Sequence, residues 1–364
     1  MRLPTPVAVF LIPVMALAQQ ASLPVEKIRQ IEQAVASEMA RNTIPAVTVA
    51  VGDSAGLRWS NGYGMADLEN LVPATALTAI RLGSISKPIT ATAVMQLVEK
   101  DRMQLDAPIQ RYVPSFPQKQ WPVTIRQLLG HLGGIRHYAG SQELDSTRHY
   151  SDLTEPLKIF AADPLLFEPG TKYSYTTYGF NLLGAAVESV SRMKFPDYLR
   201  EHIFEPAAMS HIGPDNVYAI VPHRARGYRL AANQRLENCA LADTSNKIPG
   251  GGMLSTAGDL VAFALALNSG KLVAPKTRDL MFTAQHVRDG ASNYGMGWSV
   301  AGFEGRRVVA HGGGQQGIST YLMLFPDEGL SIAVMLNRER APAGDIANKI
   351  AAIVSSKFEA GGRK

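Results

Sequence analysis

The chain of 364 residues is 46% hydrophobic and 18% charged, a globular composition that can bury one large core or two interleaved ones. Its 36 Lys and Arg residues against 31 Asp and Glu leave a formal net charge of +5, but the basic residues are scattered, which argues against a nucleic-acid-binding surface. The single cysteine, Cys239, excludes an intrachain disulfide, so the core must hold the fold.

The N-terminal residues 1–18 are predicted to be a secretory signal peptide. A positive charge at Arg2 precedes an apolar run from Val7, and the run ends in the small-x-small pattern Ala16-Leu17-Ala18. The run is shorter than the roughly 20 residues that a membrane span needs. We therefore expect an exported protein, periplasmic or secreted, with no membrane span after signal removal; an uncleaved interfacial anchor is the alternative.

The segment after the signal predicts a helix and a hairpin. Apolar residues recur at helical steps over 25–41, and Pro45 closes this helix. Strand-like segments at 47–51 and 57–63 flank the turn Asp53-Ser54-Ala55-Gly56.

The C-terminal part predicts further strands at 307–310, 319–325 and 331–337, followed by a helix at 343–358. No convincing strand lies between about residues 90 and 230. The predicted fold class is therefore α+β, with an antiparallel sheet built from both ends of the chain, flanked by helices, and an inserted mostly helical region. The predicted domains are a discontinuous sheet domain (24–83 with 285–358), a helical insert (84–284) and a polar tail (359–364).

A Ser-x-x-Lys pattern, Ser84-Ile85-Ser86-Lys87, follows the strand-like segment 79–82 and opens a long apolar helix. Helical residues three apart lie about 60° apart on one face, so Ser84 and Lys87 can touch. A serine hydroxyl needs an adjacent proton acceptor, which a lysine becomes when burial or neighbouring cations lower its pKa. Pro88 is compatible with the first helical turn, where its missing N–H is unpaired anyway.

The same pattern occurs a second time at Ser191-Arg192-Met193-Lys194. This copy ends the apolar helix 182–190, so it is interpreted as a solvated helix end. Position in the fold therefore has to distinguish the copies. Cys239 lies in a polar stretch and is interpreted as an incidental small residue.

Three blocks in order resemble the serine β-lactamase and penicillin-binding-protein superfamily, specifically its class C β-lactamase-like branch. They are the Ser-x-x-Lys at Ser84, a Tyr-x-Thr at Tyr175, and His311-Gly312-Gly313 before a strand. The resemblance covers about residues 44–337, and within the branch it is most like the mitochondrial serine β-lactamase-like proteins and their bacterial relatives, which are regarded as peptidase-like. It implies the β-lactamase/transpeptidase-like fold.

The resemblance also implies residue roles. Ser84 would be the nucleophile, and Lys87 and Tyr175 would share the general base and acid roles. Substrate contacts would come from Thr177, His311, Gly312, Gly313 and Gly314, with the oxyanion bound by the backbone N–H groups of Ser84 and Gly314. His131 is expected to have a hydrogen-bonded loop role.

Two departures from the antibiotic-hydrolysing pattern weaken a β-lactamase assignment. His311 replaces a permanent lysine charge, and Thr177 replaces an asparagine amide. The preferred function is peptidase-like cleavage of small amides or peptides through an acyl-enzyme, with no cofactor and no metal. The alternatives are a carboxylesterase, a β-lactamase, a penicillin-binding sensor or scaffold that does not turn over, and an inactive structural relative. The expected partner is a small-molecule, peptide or ester substrate.

Overall fold

The computed structural model describes residues 22–355, so the predicted signal peptide and the polar tail at 359–364 lie outside the described residues. The α-helices are α1 (Val25–Asn42), α2 (Ser86–Glu99), α3 (Ile125–Leu129), α4 (Ser141–Leu144), α5 (Tyr178–Ser191), α6 (Phe195–Leu199), α7 (Ile248–Gly251), α8 (Ala257–Asn268), α9 (Pro275–Met281) and α10 (Ala343–Ser355). The strands are β1 (Ala46–Asp53), β2 (Gly56–Asp67), β3 (Val72–Pro73), β4 (Ile80–Arg81), β5 (Gly213–Pro214), β6 (Tyr228–Leu230), β7 (Leu236–Asn238), β8 (Met253–Ser255), β9 (Ser299–Phe303), β10 (Arg306–Gln315), β11 (Ile318–Phe325) and β12 (Leu330–Leu336).

Seven strands form one antiparallel sheet in the order β3-β2-β1-β12-β11-β10-β9. The strand β1 lies between β2 and β12, so Val49 faces Asn61 on one side and Val334 on the other. The two ends of the chain therefore meet in the middle of the sheet. This arrangement confirms the predicted α+β class with an antiparallel sheet flanked by helices.

The two faces of the sheet are covered by different helices, because successive side chains of a strand point to opposite faces. Val47, Val49 and Val51 pack on one face with α1 and α10, while Ala50 contributes to the larger core on the other face. The helix α8 packs against β1 and β12 on that second face, although it lies within the segment predicted as the helical insert.

The helix α2 runs through the centre of the larger core, and its residues from Ser86 to Leu97 are all buried. A helix that is buried all round must be packed on every side, and α2 contacts both α5 and α7. The first turn of this buried helix therefore faces other protein groups.

A small sheet in the middle of the chain combines β4, which falls in the predicted strand-like segment 79–82, with β5 and β8, which the sequence did not predict. The pairs β4–β8 and β5–β8 form a small antiparallel sheet. Segments of two or three residues are too short to show the alternation that identifies a strand. This small sheet holds β4 directly in front of Ser84.

No helix between residues 22 and 355 is long and apolar enough to cross a membrane.

Candidate active site

Ser84 lies at the junction between β4 and α2. A short 3-10 turn at Gly83–Ile85 joins them, and the α-helix proper begins at Ser86. Gly83 has a φ of +53°, a left-handed conformation that glycine adopts without a steric cost. The predicted strand-to-helix position of Ser84 is thus observed, and the side chain keeps partial exposure.

Lys87 brings its side-chain nitrogen to the Ser84 hydroxyl. The Nζ atom lies 3.0 Å from Ser84 Oγ, 3.2 Å from Thr177 Oγ1 and 2.5 Å from the Gly250 carbonyl oxygen. In the neutral amine, the two N–H groups can bond the Gly250 carbonyl and Thr177, leaving the lone pair to accept the Ser84 proton. The geometry therefore suits a proton acceptor.

The environment of Lys87 favours this neutral form. The side chain is fully buried and no carboxylate in the described part of the chain forms an ion pair with it. Burial, followed by the positive charge of Lys247, holds the pKa of Lys87 well below its usual range. A lysine with a lowered pKa can act as a general base at neutral pH.

Tyr175 is the second predicted proton-handling residue. Lys87 Nζ lies 4.8 Å from the centroid of its ring. Burial raises the pKa of the Tyr175 phenol, and a hydrogen bond with Ser84 opposes this shift only in part. Because the phenol keeps its proton at neutral pH, Tyr175 is suited to donate a proton to a leaving group rather than to accept one first.

Thr177, the residue before α5, was predicted to contact the substrate, but its side chain also contacts protein groups. Its hydroxyl lies within hydrogen-bonding distance of Lys87, and its backbone N–H donates to His137 Nδ1 at 3.2 Å. The side chain is buried and also interacts with Tyr138. Thr177 therefore connects the proton acceptor to the cavity wall.

His311 was predicted to be a polar group on the substrate side, but both of its ring nitrogens have protein partners. Nε2 lies 2.8 Å from the Tyr294 hydroxyl and Nδ1 lies 2.7 Å from the Gly312 carbonyl. Burial, and then the charge of Lys87, lower the pKa of His311 to about 3. The imidazole is buried and neutral behind the cavity, so it offers no charge to a substrate.

The three glycines after His311 bring β10 close to the serine turn. A Cβ on Gly313 would lie 2.0 Å from the Leu82 carbonyl oxygen and 2.2 Å from Thr320 Oγ1. A Cβ on Gly314 would meet no atom within 4 Å, because this residue faces the cavity. Gly314 and Ser84 thus line the same space, as a pair of oxyanion donors requires.

The cavity at Ser84 has a volume of about 210 Å³. Its walls include Lys87's partners Ser84, Thr177 and Gly250, and no Lys, Arg, Asp or Glu side chain lines it. The lining residues are Gly83, Ser84, His137, Tyr138, Leu144, Thr177, Gly250, Gly251, Gly314 and Gln315. Burial, and then the charges of Lys87 and Lys247, lower the pKa of His137 to about 4, so this histidine is also neutral.

Several of these lining residues were missed as site residues. Gly250 and Gly251 belong to a run of three glycines, which could have signalled a close backbone approach. A Cβ on Gly250 would lie 2.5 Å from Thr177 Cγ2. Leu144 and Gln315 carried no such signal.

His131 has the loop role that was expected. Its carbonyl accepts from the Ser174 N–H at 3.0 Å, and its Nδ1 accepts from the Thr176 N–H at 3.2 Å. The ring centroid lies 4.3 Å from that of Tyr175. His131 therefore positions the segment that carries Tyr175.

The second Ser-x-x-Lys has no comparable surroundings. The Ser191 hydroxyl contacts only nearby backbone groups, at Glu188 and Met193. Lys194 is exposed. This copy is a solvated helix end, as its sequence context indicated.

A larger cavity of about 470 Å³ lies elsewhere, lined in part by Cys239. Burial raises the pKa of the Cys239 thiol, which disfavours a reactive thiolate. Asp215 in the same wall is paired with Arg81 at 2.6 Å. Between residues 22 and 355 no cluster of His, Cys, Asp and Glu could hold a metal ion.

Comparison with known proteins identifies the family. The model of the Beta-lactamase family matches residues 31–355. The chain belongs to this family. Among relatives of this β-lactamase-family chain, the human (Homo sapiens) serine beta-lactamase-like protein LACTB, mitochondrial, is 28% identical over 84% of the chain and 76% of its own length.

Solved structures share the β-lactamase-family fold. The octameric penicillin-binding protein homologue from Pyrococcus abyssi matches with a TM-score of 0.78 and 25% identity, over 90% of this chain and 77% of that one. D-amino acid amidase from Ochrobactrum anthropi SV3 matches with a TM-score of 0.79 and 22% identity, over 90% of this chain and 99% of that one. The latter likeness concerns the fold alone. The chain therefore has the fold of a serine hydrolase family.

Proposed function

We propose that this protein is a serine hydrolase that forms an acyl-enzyme on Ser84 and cleaves small amides or peptides. The observation that carries the proposal is the 3.0 Å distance between Ser84 Oγ and the buried Nζ of Lys87. A nucleophile and its base at hydrogen-bonding distance, in a cavity, are the minimum that acyl transfer requires.

In the first step, Ser84 Oγ attacks the substrate carbonyl carbon while its proton passes to Lys87 Nζ. The N–H groups of Ser84 and Gly314 stabilise the negative charge that develops on the carbonyl oxygen. Tyr175 donates its proton to the leaving nitrogen as the C–N bond breaks, and the proton on Lys87 restores the phenol. Water then attacks the acyl carbon while its proton passes to Lys87 Nζ. The bond between this carbon and Ser84 Oγ breaks, Lys87 returns the proton to Oγ, and the acid is released.

The cavity also constrains the substrate. Because no permanently charged side chain lines it and His311 is neutral, no fixed cation is placed to pair with a carboxylate beside the scissile bond. Substrates that are neutral around this bond fit better than peptide C-termini or β-lactams, which carry a carboxylate. A β-lactamase activity remains the weaker alternative.

A carboxylesterase is the alternative that the same observations favour next. A small neutral cavity accepts an ester as readily as an amide. Ester cleavage also depends less on a proton donor, because an alkoxide leaving group needs less protonation than an amine leaving group. A β-lactam-binding sensor or scaffold would also acylate Ser84 but would not release product.

The test is a panel of neutral aminoacyl amides, nitrophenyl esters and a penicillin, assayed together with labelling of Ser84 by a fluorophosphonate. We expect turnover of amides, and the Ser84→Ala variant should lose at least about a thousandfold of it. The matched control, Ser191→Ala, should keep full activity. Ester turnover alone would identify the carboxylesterase.

The remaining alternatives give other outcomes in the same experiment. Stoichiometric mass addition at Ser84 without steady-state product would identify the sensor or scaffold. A folded protein without any label at Ser84 would refute the proposed function and leave an inactive relative.

A further inference from the structure

Lys247 is a second buried lysine close to the candidate site. It ends a 3-10 turn at Thr244–Lys247 directly before α7, and only 1% of the residue is exposed. Its Nζ donates a hydrogen bond to the Leu144 carbonyl at 2.6 Å. Within residues 22–355 it has no ion-pair partner, although burying an unpaired ammonium is costly.

The position of Lys247 relates it to the cavity wall. Its Nζ lies 5.2 Å from the centroid of the Tyr138 ring, and both Tyr138 and Leu144 line the cavity. The helix α7 directly follows Lys247, and the carbonyl of its residue Gly250 accepts a hydrogen bond from Lys87 Nζ. Lys247 therefore lies behind the wall that Ser84 and Lys87 face, outside the cavity itself.

Anchoring of the cavity wall does not explain the lysine, because neutral side chains already provide it. Gln316 Nε2 donates to the same Leu144 carbonyl at 3.1 Å, and Asn246 Nδ2 donates to the Glu143 carbonyl at 3.1 Å. A neutral donor at position 247 would hold the loop without the desolvation cost of a charge. Anchoring of the loop therefore does not account for a charged side chain at position 247.

We propose that Lys247 is a positioning residue whose buried positive charge keeps Lys87 in its neutral, proton-accepting form. This inference rests on the proposed acyl transfer at Ser84. Two like charges in a poorly solvated region disfavour each other, so a charge that persists on one lysine favours proton loss from the other.

The surrounding charges agree with this division of roles. Burial, and then Arg81, lower the pKa of Lys247 to about 8, while Asp145 opposes the shift, so Lys247 is protonated at neutral pH. Burial comes first and Lys247 second among the causes that lower the pKa of Lys87. Of the other ionisable groups nearby, His137 is neutral and Glu143 is paired with Arg136 at 2.8 Å.

The test measures the second-order rate of Ser84 labelling by an uncharged fluorophosphonate between about pH 5.5 and 9. Removing the charge by Lys247→Met favours protonation of Lys87, so the acid limb of the profile should move to higher pH. We expect labelling at about pH 6 to fall by about threefold or more. The difference should narrow above about pH 8, where Lys247 itself loses its proton.

Two further variants separate charge from anchoring. Lys247→Gln keeps a hydrogen-bond donor without the charge, so it should shift the acid limb as Lys247→Met does. If the Met variant does not fold, the Gln variant tests the effect of the charge. Lys194→Met removes an exposed lysine and should leave the profile in place.

The outcomes distinguish this inference from the proposed function. A labelled wild-type protein with the same pH profile in both Lys247 variants would overturn the inference alone. Absence of labelling at Ser84 in the wild type would overturn the acyl-transfer proposal and this inference with it.

Discussion

At the scale of single residues, His311 occupies a motif position that was predicted to face the substrate, but its ring binds protein groups instead. Tyr294 and the Gly312 carbonyl occupy both ring nitrogens, and the ring is buried. A histidine so placed can stabilise the approach of β10 but cannot offer a charge. The neutral cavity that results is the basis for expecting substrates without a carboxylate next to the scissile bond.

The role of Lys87 as proton acceptor leads to a prediction for Lys87→Ala. Without the amine, Ser84 has no base within hydrogen-bonding distance among the described side chains that could accept its proton directly. We expect the rate of Ser84 labelling to fall by about 100-fold or more, measured with the uncharged fluorophosphonate at neutral pH.

Lys194→Ala is the matched control, since this lysine occupies the same motif position in the second, exposed copy. It should label at the wild-type rate. Labelling of a folded Lys87→Ala variant at a near-normal rate would remove Lys87 from the mechanism.

At the scale of elements, the contact of β10 with the turn before Ser84 shapes the cavity. The Thr320 hydroxyl of the neighbouring strand β11 donates to the Leu82 carbonyl at 2.8 Å, and Gly313 lies against the same carbonyl. A methyl group at position 313 cannot fit without separating β10 from this turn.

Gly313→Ala is therefore predicted to harm both stability and acylation. We expect a loss of about 1–3 kcal/mol in the free energy of unfolding, measured with denaturant, because overpacking forces the backbone to shift. Labelling of Ser84 should fall at least about tenfold, because Gly314 moves away from the oxyanion position.

The control for this substitution is Gly302→Ala in β9. That residue is exposed and its Cβ would meet only the Arg306 carbonyl, at 3.7 Å, an ordinary contact. Its stability and labelling should stay near wild type. An equally stable and active Gly313→Ala variant would show that the close approach of β10 is dispensable.

Elements with a sustained pattern were predicted well. The first helix was expected at 25–41 and is observed at Val25–Asn42, and the hairpin is formed by β1 and β2. The strand β9 was missed, because most of it is partly or fully exposed and offers no clear alternation. The strand β2 is also only partly buried, but its twelve residues give a longer pattern than the five of β9.

At the scale of the whole molecule, the sheet closes by pairing β1 with β12, so both ends of the chain are needed for one core. The helices α1 and α10 pack side by side on its outer face. The predicted signal peptide, residues 1–18, precedes α1, the first described helix, in the sequence.

Export is the corresponding prediction. We expect the full chain, expressed in a Gram-negative host, to be recovered from the periplasm or medium with Gln19 as its first residue, as measured by intact mass. Leu11→Arg, which interrupts the apolar run, should leave the uncleaved chain inside the cell. Uncleaved wild-type protein on the membrane would instead support the interfacial anchor.

The sequence by itself determined the main strands and helices, the antiparallel class of the sheet and the contact of Ser84 with Lys87, because each depends on neighbours within a few residues or on long repeated patterns. The family resemblance added Tyr175, Thr177 and the glycines of β10. Only the tertiary structure decided that the Gly250 carbonyl lies at hydrogen-bonding distance from Lys87 Nζ and that protein groups bind both ring nitrogens of His311. It also decided that Lys247 is buried behind the wall of the Ser84 cavity. Those contacts join segments far apart in the chain, and helix packing, which no local pattern encodes, brings them together.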